Sequence, residues 1–420
     1  MTPSLWIGAL SISLLSFQLP FAAILLSRLV KGATRQAPIA PKASSQEQAN
    51  SVSVIVPTLN EAQRVTPCLE GLSAQGPEVR EIVVVDSHST DGTPQVVEAI
   101  AQQDNRIRLI TDAPPPPNWV GRPWALHSGY LASQPASQWL LGIDADTEPQ
   151  PGLVSALLHA AQTHRYDLVS LSPKFRLNFP GEWWLQPALL MTLIYRFDSA
   201  GVDSLAAERV MANGQCFLCR RSVLNQLDGY SSAANSFCDD VTLARVAAQK
   251  GFKVGFLDGA KVISVRMYEG AKETWQGWGR SLDLKDAASP FQLWGDLALL
   301  IATQALPTLA LPGLLFARFF LKLNSPIVDL ALYLNAFLLL IRVGMTVAIA
   351  GSYHLPKTPF SPALFFWLSP LADPLAVLRI ALSSFQTRIL WRGKTYEKAS
   401  SLRQSRSSET QAITQRNPIP

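Results

Sequence analysis

Leu5 to Val30 is a nearly continuous apolar run, broken only by a few small or polar residues and Pro20. A run of that length crosses the hydrocarbon core of a bilayer, where only a helix satisfies its own backbone. Comparable runs return after Trp294, at Leu297 to Phe316 and Ile327 to Ala350. A third, Ala363 to Leu382, is interrupted by Pro370, Asp373 and Pro374. The chain must therefore fold with a water-soluble middle beside a membrane. A mean hydropathy of +0.15 and a charged fraction of 16% average over these two regimes. The middle, about Ser51 to Asp286, is long enough for one α/β domain with a full core.

Charge orients the chain. No basic residue precedes the first run, whereas Arg28, Lys31 and Arg35 come after it. A cleaved signal peptide carries its positive charge in front. The positive-inside rule puts the N-terminus outside and the middle domain in the cytoplasm. Three full spans after that domain would leave the basic tail (Arg379, Arg388, Arg392, Lys394, Lys398) outside, against the same rule. The last apolar segment is therefore expected to be re-entrant or interfacial. The expected organisation is an anchor over 1–32, a linker over 33–50, the soluble domain over 51–286, a membrane region over 287–386 and a basic, largely disordered tail over 387–420. Arg342 falls deep in an expected span, where a charge costs roughly 3 kcal/mol; it faces a lipid cleft or pairs within the bundle. The net charge of +5 sits largely beside the apolar runs and in the tail. It reads as headgroup contact, and no basic run interleaved with aromatics points to nucleic acid. Cys68, Cys216, Cys219 and Cys238 lack the second pair or His cluster of a zinc site and read as reduced core thiols.

Within the middle, short apolar runs alternate with helical patterns. Strands are predicted at Ser51–Pro57, Glu81–Asp86, Ile107–Thr111, Trp139–Ile143, Asp167–Leu171, Val210–Arg220, Phe252–Leu257 and Ala260–Val265. Helices are predicted at Ala62–Ala74, Thr93–Asp104, Gly121–Ala132, Val154–Thr163 and Asp240–Gly251. That alternation argues a doubly wound, mostly parallel sheet. Glu182–Phe197 is apolar but short and holds Pro187; it lies either in the membrane interface or in the core.

Polar clusters fall where these strands end, which is where ligands of such sheets bind. They are Pro57 with Asn60 and Glu61, Asp86 leading to Asp91, the pair Asp144 and Asp146, and the pair Asp239 and Asp240 opening a helix. Carboxylates so placed suit a hard divalent cation and the phosphates it neutralises. Singly, each has a plainer reading: Asp86 and Asp91 as helix caps, Asp239 and Asp240 as acids favoured by a helix N-terminus.

In this order the clusters resemble the family 2 glycosyltransferases of GT-A fold. Pro57, Asn60 and Glu61 match the family's P-x-x-N-E. Asp86, Ser89, Asp91, Gly92 and Thr93 match D-x-x-S-x-D-G-T. Asp144 and Asp146 match D-x-D, and Asp239-Asp240 the acidic pair before an apolar helix. Gly121-Arg122-Pro123-Trp124-Ala125-Leu126 matches G-K-x-x-A-L with arginine for lysine. The resemblance covers roughly Ser51 to Arg280. It implies that Asp86 holds the nucleobase, Asp91 supports the nucleotide loop, Asp146 coordinates Mg2+ or Mn2+, and Asp144 sits nearer the sugar or ribose. Asp240 would be the base that deprotonates the acceptor hydroxyl, Asp239 would orient it, and a single displacement would invert the anomeric carbon. Arg122 would face donor phosphate or sugar, or be a plain surface arginine. The donor is a UDP-sugar by family default, with a GDP-sugar as the alternative.

The segment Met267-Tyr268 to Trp275, Trp278 and Arg280 resembles the stretch after the catalytic helix in membrane-bound members, without the Q-x-x-R-W of processive synthases. One-sugar transfer is expected. Trp275, Trp278 and Arg280 are candidates for acceptor or interface contact, with ordinary packing as the alternative. The same segment and the motif at Arg122 resemble bacterial carotenoid and hopanoid-type lipid glycosyltransferases, the cyanobacterial myxol-type carotenoid 2′-O-glycosyltransferases among them. A carotenoid hydroxyl is then the expected acceptor. A polyprenyl-phosphate or ceramide-type acceptor is the first rival, and a non-enzymatic nucleotide-binding membrane protein or transporter the second.

Overall fold

In a computed structural model the chain is described over residues 3–397 apart from 205, 280, 281, 283, 286, 357–360, 387, 392 and 393, with the backbone alone for residues 3 and 388–397. Parallel strands β1 (Val52–Thr58), β2 (Val79–Asp86), β3 (Ile107–Thr111) and β4 (Trp139–Ile143) form half of a seven-stranded sheet. After the short β5 (Thr147–Pro149), the sheet continues with β6 (Leu168–Ser172). Next come β7 (Lys174–Phe175), which lies outside the large sheet, and β8 (Cys216–Arg220). The last strands of the domain are β9 (Val254–Asp258) and β10 (Ile263–Val265). The large sheet runs β3-β2-β1-β4-β8-β6-β9, with β5, β10 and β7 forming a small second sheet. Only β8 runs against its neighbours. The α/β, mostly parallel architecture expected of a GT-A domain is present.

The valine-rich strands are buried on both faces because helices cover both. Val54 and Val56 point into one apolar cluster with Val84, while Ile55 joins Val83 and Val85 in the other. This is the period-2 alternation of a strand buried on two sides. The covering helices are α2 (Val65–Ser73), α3 (Thr93–Ala101), α4 (Gly121–Ala132) and α5 (Leu153–His164). Next in chain order is α6 (Pro180–Arg196), followed by α7 (Arg221–Gln226) and α8 (Asp239–Gln249). Pro57 stands inside β1 at no cost to the ladder: β1 pairs with β4 only through Ile55, so the missing N–H lies beyond that pairing.

Several boundaries differ from the sequence reading. The strand expected over Val210–Arg220 is only β8, because the preceding residues form a turn in which Gln215 donates to Asn213 Oδ1 at 2.9 Å. The helix expected from Ala62 begins at Val65, since the Ala62 amide is taken by Asp91 Oδ2 at 3.0 Å. The linker over 33–50 is bonded to the domain through Gln36 to Gly201 and Ile39 to Asp258.

Outside the domain, α1 (Pro3–Val30) precedes the linker. After β10 come α9 (Gly270–Trp278), α10 (Pro290–Leu300), α11 (Leu306–Phe319), α12 (Pro326–Ile349), α13 (Leu364–Trp367) and α14 (Asp373–Phe385). A π-helical turn joins α10 to α11. Among the described residues three helices are long and apolar enough to cross a membrane: Ser4–Thr34, Pro290–Phe319 and Pro326–Ser352. The apolar segment after Pro362 is broken into α13 and α14. Asp373, one of the residues that interrupt it, bonds Arg342 of α12 at 2.7 Å, with both side chains almost fully buried. Helix α6 is mostly buried, packed in one cluster with Trp278 of α9, Leu338 of α12 and Ile380 of α14, and so joins the domain to the membrane helices. The tail expected to lack structure from 387 instead begins with paired strands at Arg388–Trp391 and Lys394–Glu397; its residues 398–420 lie outside the described set.

Candidate functional site

Three parallel strand ends build the rim. β2 ends at Asp86 and β1 at Thr58, in register with each other, and β4 ends one residue before Asp144. Antiparallel β8 brings its first residue, Cys216, opposite Ile143, so the turn at Asn213-Gly214 lies at the same rim. The four polar clusters of the sequence are thereby gathered at one edge of the sheet.

The first two clusters bond to each other. Asn60, at φ 57°, receives the Thr90 amide on its side-chain oxygen at 2.9 Å and donates its own amide to Ser89 at 2.8 Å. The Glu61 amide bonds Thr93 at 2.9 Å. Asp86 is buried and accepts from the Ser89 amide at 2.9 Å and the Thr58 hydroxyl at 3.3 Å. Asp91 bonds the Thr93 amide and the Ala62 amide. Against a desolvation penalty, these bonds hold its carboxyl below the usual carboxylate range. Asp91 is thus a clamp between the β1 and β2 loops.

The other two clusters are joined by Arg122. Its Nε and Nη2 donate to Asp144 Oδ1 at 3.0 and 2.8 Å, its Nη2 also to the Gly214 carbonyl at 2.7 Å, and its Nη1 to Asp239 Oδ2. Burial opposes the guanidinium charge, but the surrounding Asp144, Asp239 and Asp240 raise its pKa far above the ordinary value. Arg122, expected to face the donor or the surface, also braces the first acid of each pair. A Cβ at 214 would lie 2.5 Å from Arg122 Nη2 and would have to push the guanidinium off its bonds. Asp239 is buried, and Asp240 is partly exposed. Asp240 accepts from the Gly214 amide at 2.6 Å and the Val241 amide at 2.8 Å. Burial raises the pKa of both acids, Arg122 opposes it, and their mutual repulsion adds to it for Asp239.

The donor set fits one kind of cation. Among the described residues no group of three or more His, Cys, Asp or Glu can hold a metal on protein ligands alone. Asp144 and Asp146 offer hard oxygens, and Arg122 takes only Oδ1 of Asp144. Mg2+ or Mn2+ needs only one or two carboxylates when it shares a diphosphate. The residues fit a cation bound with a phosphate ligand and not an all-protein cage.

Asp240 also lines a cavity of about 230 Å³. Its walls include Leu193 and Ile194 of α6, Phe256 of β9, Trp278 of α9, and Ile349 and Ser352 at the end of the α12 span. Trp278 therefore lines the cavity. Trp275 does not: it lies under the Arg379 guanidinium, which donates to its carbonyl at 2.9 Å, and so ties α9 to α14. Arg280 lies outside the described residues. Sequence reasoning missed Asn213 and Gly214, although Asn-Gly before a strand is a turn signal.

Residues 53–228 match the model of a protein family described as glycosyl transferase family 2. Among curated relatives, 4,4′-diaponeurosporenoate glycosyltransferase of Staphylococcus haemolyticus is 26% identical over 56% of this chain and 62% of its own length. Dolichol-phosphate mannosyltransferase of Saccharomyces cerevisiae is 29% identical over 28% of this chain and 43% of its own. The chain spans less than two thirds of the length of these relatives. A solved structure of mannosyltransferase PcManGT from Pyrobaculum calidifontis, in complex with GDP-Man and Mn2+, is similar with a TM-score of 0.53, 19% identity, and coverage of 90% of this chain and 98% of that one. This likeness concerns the fold.

Proposed function

We propose that this chain, built on a glycosyl transferase family 2 domain, is an inverting glycosyltransferase that moves one sugar from a nucleotide-diphosphate donor to a hydroxyl of a membrane lipid. The observation that carries the reading is the position of Asp240. It belongs to the acid cluster braced by Arg122, and it borders a largely apolar cavity walled by the end of a membrane-length helix. A donor on the β-strand rim and an acceptor in that cavity would meet at Asp240.

The chemistry follows from charge. Asp86, at the end of β2, accepts from the nucleobase edge, and the Asn60–Thr90 and Asp91–Thr93 bonds hold the loops around it. Asp146 and Asp144 would hold a divalent cation, which when bound would supply positive charge against the departing diphosphate. Arg122 holds Asp144 and Asp239 fixed, which leaves Asp240 to take the acceptor proton as the hydroxyl oxygen bonds the anomeric carbon from the face opposite the leaving group. The raised pKa of Asp240 suits it to that transfer.

The three membrane-length helices support an anchored enzyme with the domain on the cytoplasmic side. With the N-terminus outside, one span before the domain and two after it leave the basic tail inside, in accord with the positive-inside rule. A carotenoid hydroxyl is the favoured acceptor. The carotenoid-type relative at 26% identity and the motif at Arg122 support it, and a polyprenyl-phosphate acceptor is the rival. The test is incubation of the purified full chain with UDP- and GDP-sugars, Mn2+ and extracted membrane lipids, with the product's anomeric configuration read by NMR. A single-sugar lipid product of inverted configuration is expected; a retained configuration or repeated sugar addition overturns the reading.

A further inference from the structure

The cavity at Asp240 is walled by apolar side chains at most positions, and its charged residues are mostly acidic. Asp198, Asp240 and Asp258 line it, and among the described lining residues the cation is Arg35. Arg35 belongs to the linker and is held by Asp258 Oδ2 at 3.0 Å, with the Asp258 side chain almost fully buried. Arg209, behind the wall, takes Asp198 Oδ1 at 2.6 Å.

We propose that the Arg35–Asp258 ion pair sets the charge of the acceptor: by occupying the cavity's cation, Asp258 makes the site select a neutral, hydroxylated end of an apolar molecule and reject a lipid phosphate. This rests on the glycosyltransferase reading and deepens it. A phosphate needs an available guanidinium or ammonium, and fork-like arginine is its best partner. Here the arginine is already matched by a carboxylate, and Asp240 adds a second negative charge to any anion approaching the reacting end. A neutral alcohol meets no such opposition.

The test uses the full chain in phosphatidylcholine vesicles with whichever UDP- or GDP-sugar it turns over. Its two acceptors are a long-chain isoprenoid alcohol and the monophosphate of that alcohol. The alcohol is expected to be the better acceptor by about tenfold or more, the scale of one nearby unscreened charge. Asp258→Asn keeps the bond that Oδ1 accepts from the Ala260 amide and releases Arg35; it is expected to raise the phosphate-to-alcohol ratio by about tenfold. Arg35→Gln breaks the same pair but removes the cation, and is expected to lower that ratio or leave it unchanged. A merely structural ion pair would make the two variants alike, which overturns the proposal. Faster transfer to the phosphate by the unaltered protein overturns the proposal and leaves the glycosyltransferase reading standing. No turnover of any donor with either acceptor overturns both.

Discussion

Removing Arg122 exposes what it balances. Its guanidinium makes four hydrogen bonds, two to Asp144, one to Asp239 and one to the Gly214 carbonyl. In Arg122→Met, Asp239 stays buried beside Asp240 with no countercharge. Breaking one side of a buried ion pair costs about 3–5 kcal/mol. At roughly 2–4 °C per kcal/mol for a domain of this size, the melting temperature should fall by about 10 °C at pH 8. The sign with pH is set by linkage. Loss of Arg122 raises the carboxyl pKa values further above their unfolded values, so the folded state binds protons more readily than the unfolded one. Protonation then relieves the unpaired charge, and the deficit against the parent should shrink as pH falls toward 5. Arg122→Lys keeps a charge but cannot reach all three acceptors with one ammonium, and should lose roughly half as much. Thermal unfolding of the detergent-purified chain at both pH values measures this. A loss below about 1 kcal/mol at pH 8, or an equal loss at pH 5 and 8, refutes the bracing role.

Gly214→Ala would press a Cβ on Arg122 Nη2 and should cost about 1–3 kcal/mol, with a parallel fall in turnover, read by melting and by donor consumption. Arg342→Met and Asp373→Leu should each destabilise by about 3–5 kcal/mol, and the double variant much less, since an apolar pair leaves no buried charge unmatched; a double-variant cycle in detergent measures it. The four buried thiols should resist alkylation until unfolding, with Cys68 pushed up to about 12 by burial; mass spectrometry after iodoacetamide treatment of the native chain checks this.

Much of this architecture was legible in sequence for one physical reason. β1, β2 and β4 are buried on both faces, so their runs are mostly apolar and stop sharply at Thr58, at Asp86 and just before Asp144. Helix α4 was readable from Gly121 to Ala132 because its ends are local. What escaped the sequence depends on long-range bonds. Asp91 claims the Ala62 amide from the other loop and delays α2. Asn213-Gly214 turns beneath Arg122, so β8 begins only at Cys216. The bracing by Arg122 was not legible because neither Asp239, more than a hundred positions away, nor Gly214 is visible locally. Asp373 looked like an interruption of a span and is the partner of Arg342. The cavity draws on stretches scattered from the linker at Arg35 to Ser352 just past α12, and no local pattern announces it.

The central claim is that Asp240 takes the acceptor proton. Asp240→Asn keeps the side chain's size and an oxygen for the Gly214 amide, and the most direct measurement is its turnover beside its donor affinity. A general base contributes about 10²–10⁴ in rate, so turnover should fall by at least about a hundredfold while calorimetric donor binding changes by less than about threefold. An Asp240→Asn protein that is stably folded, binds donor as the parent does and turns over within about tenfold of it would contradict the account.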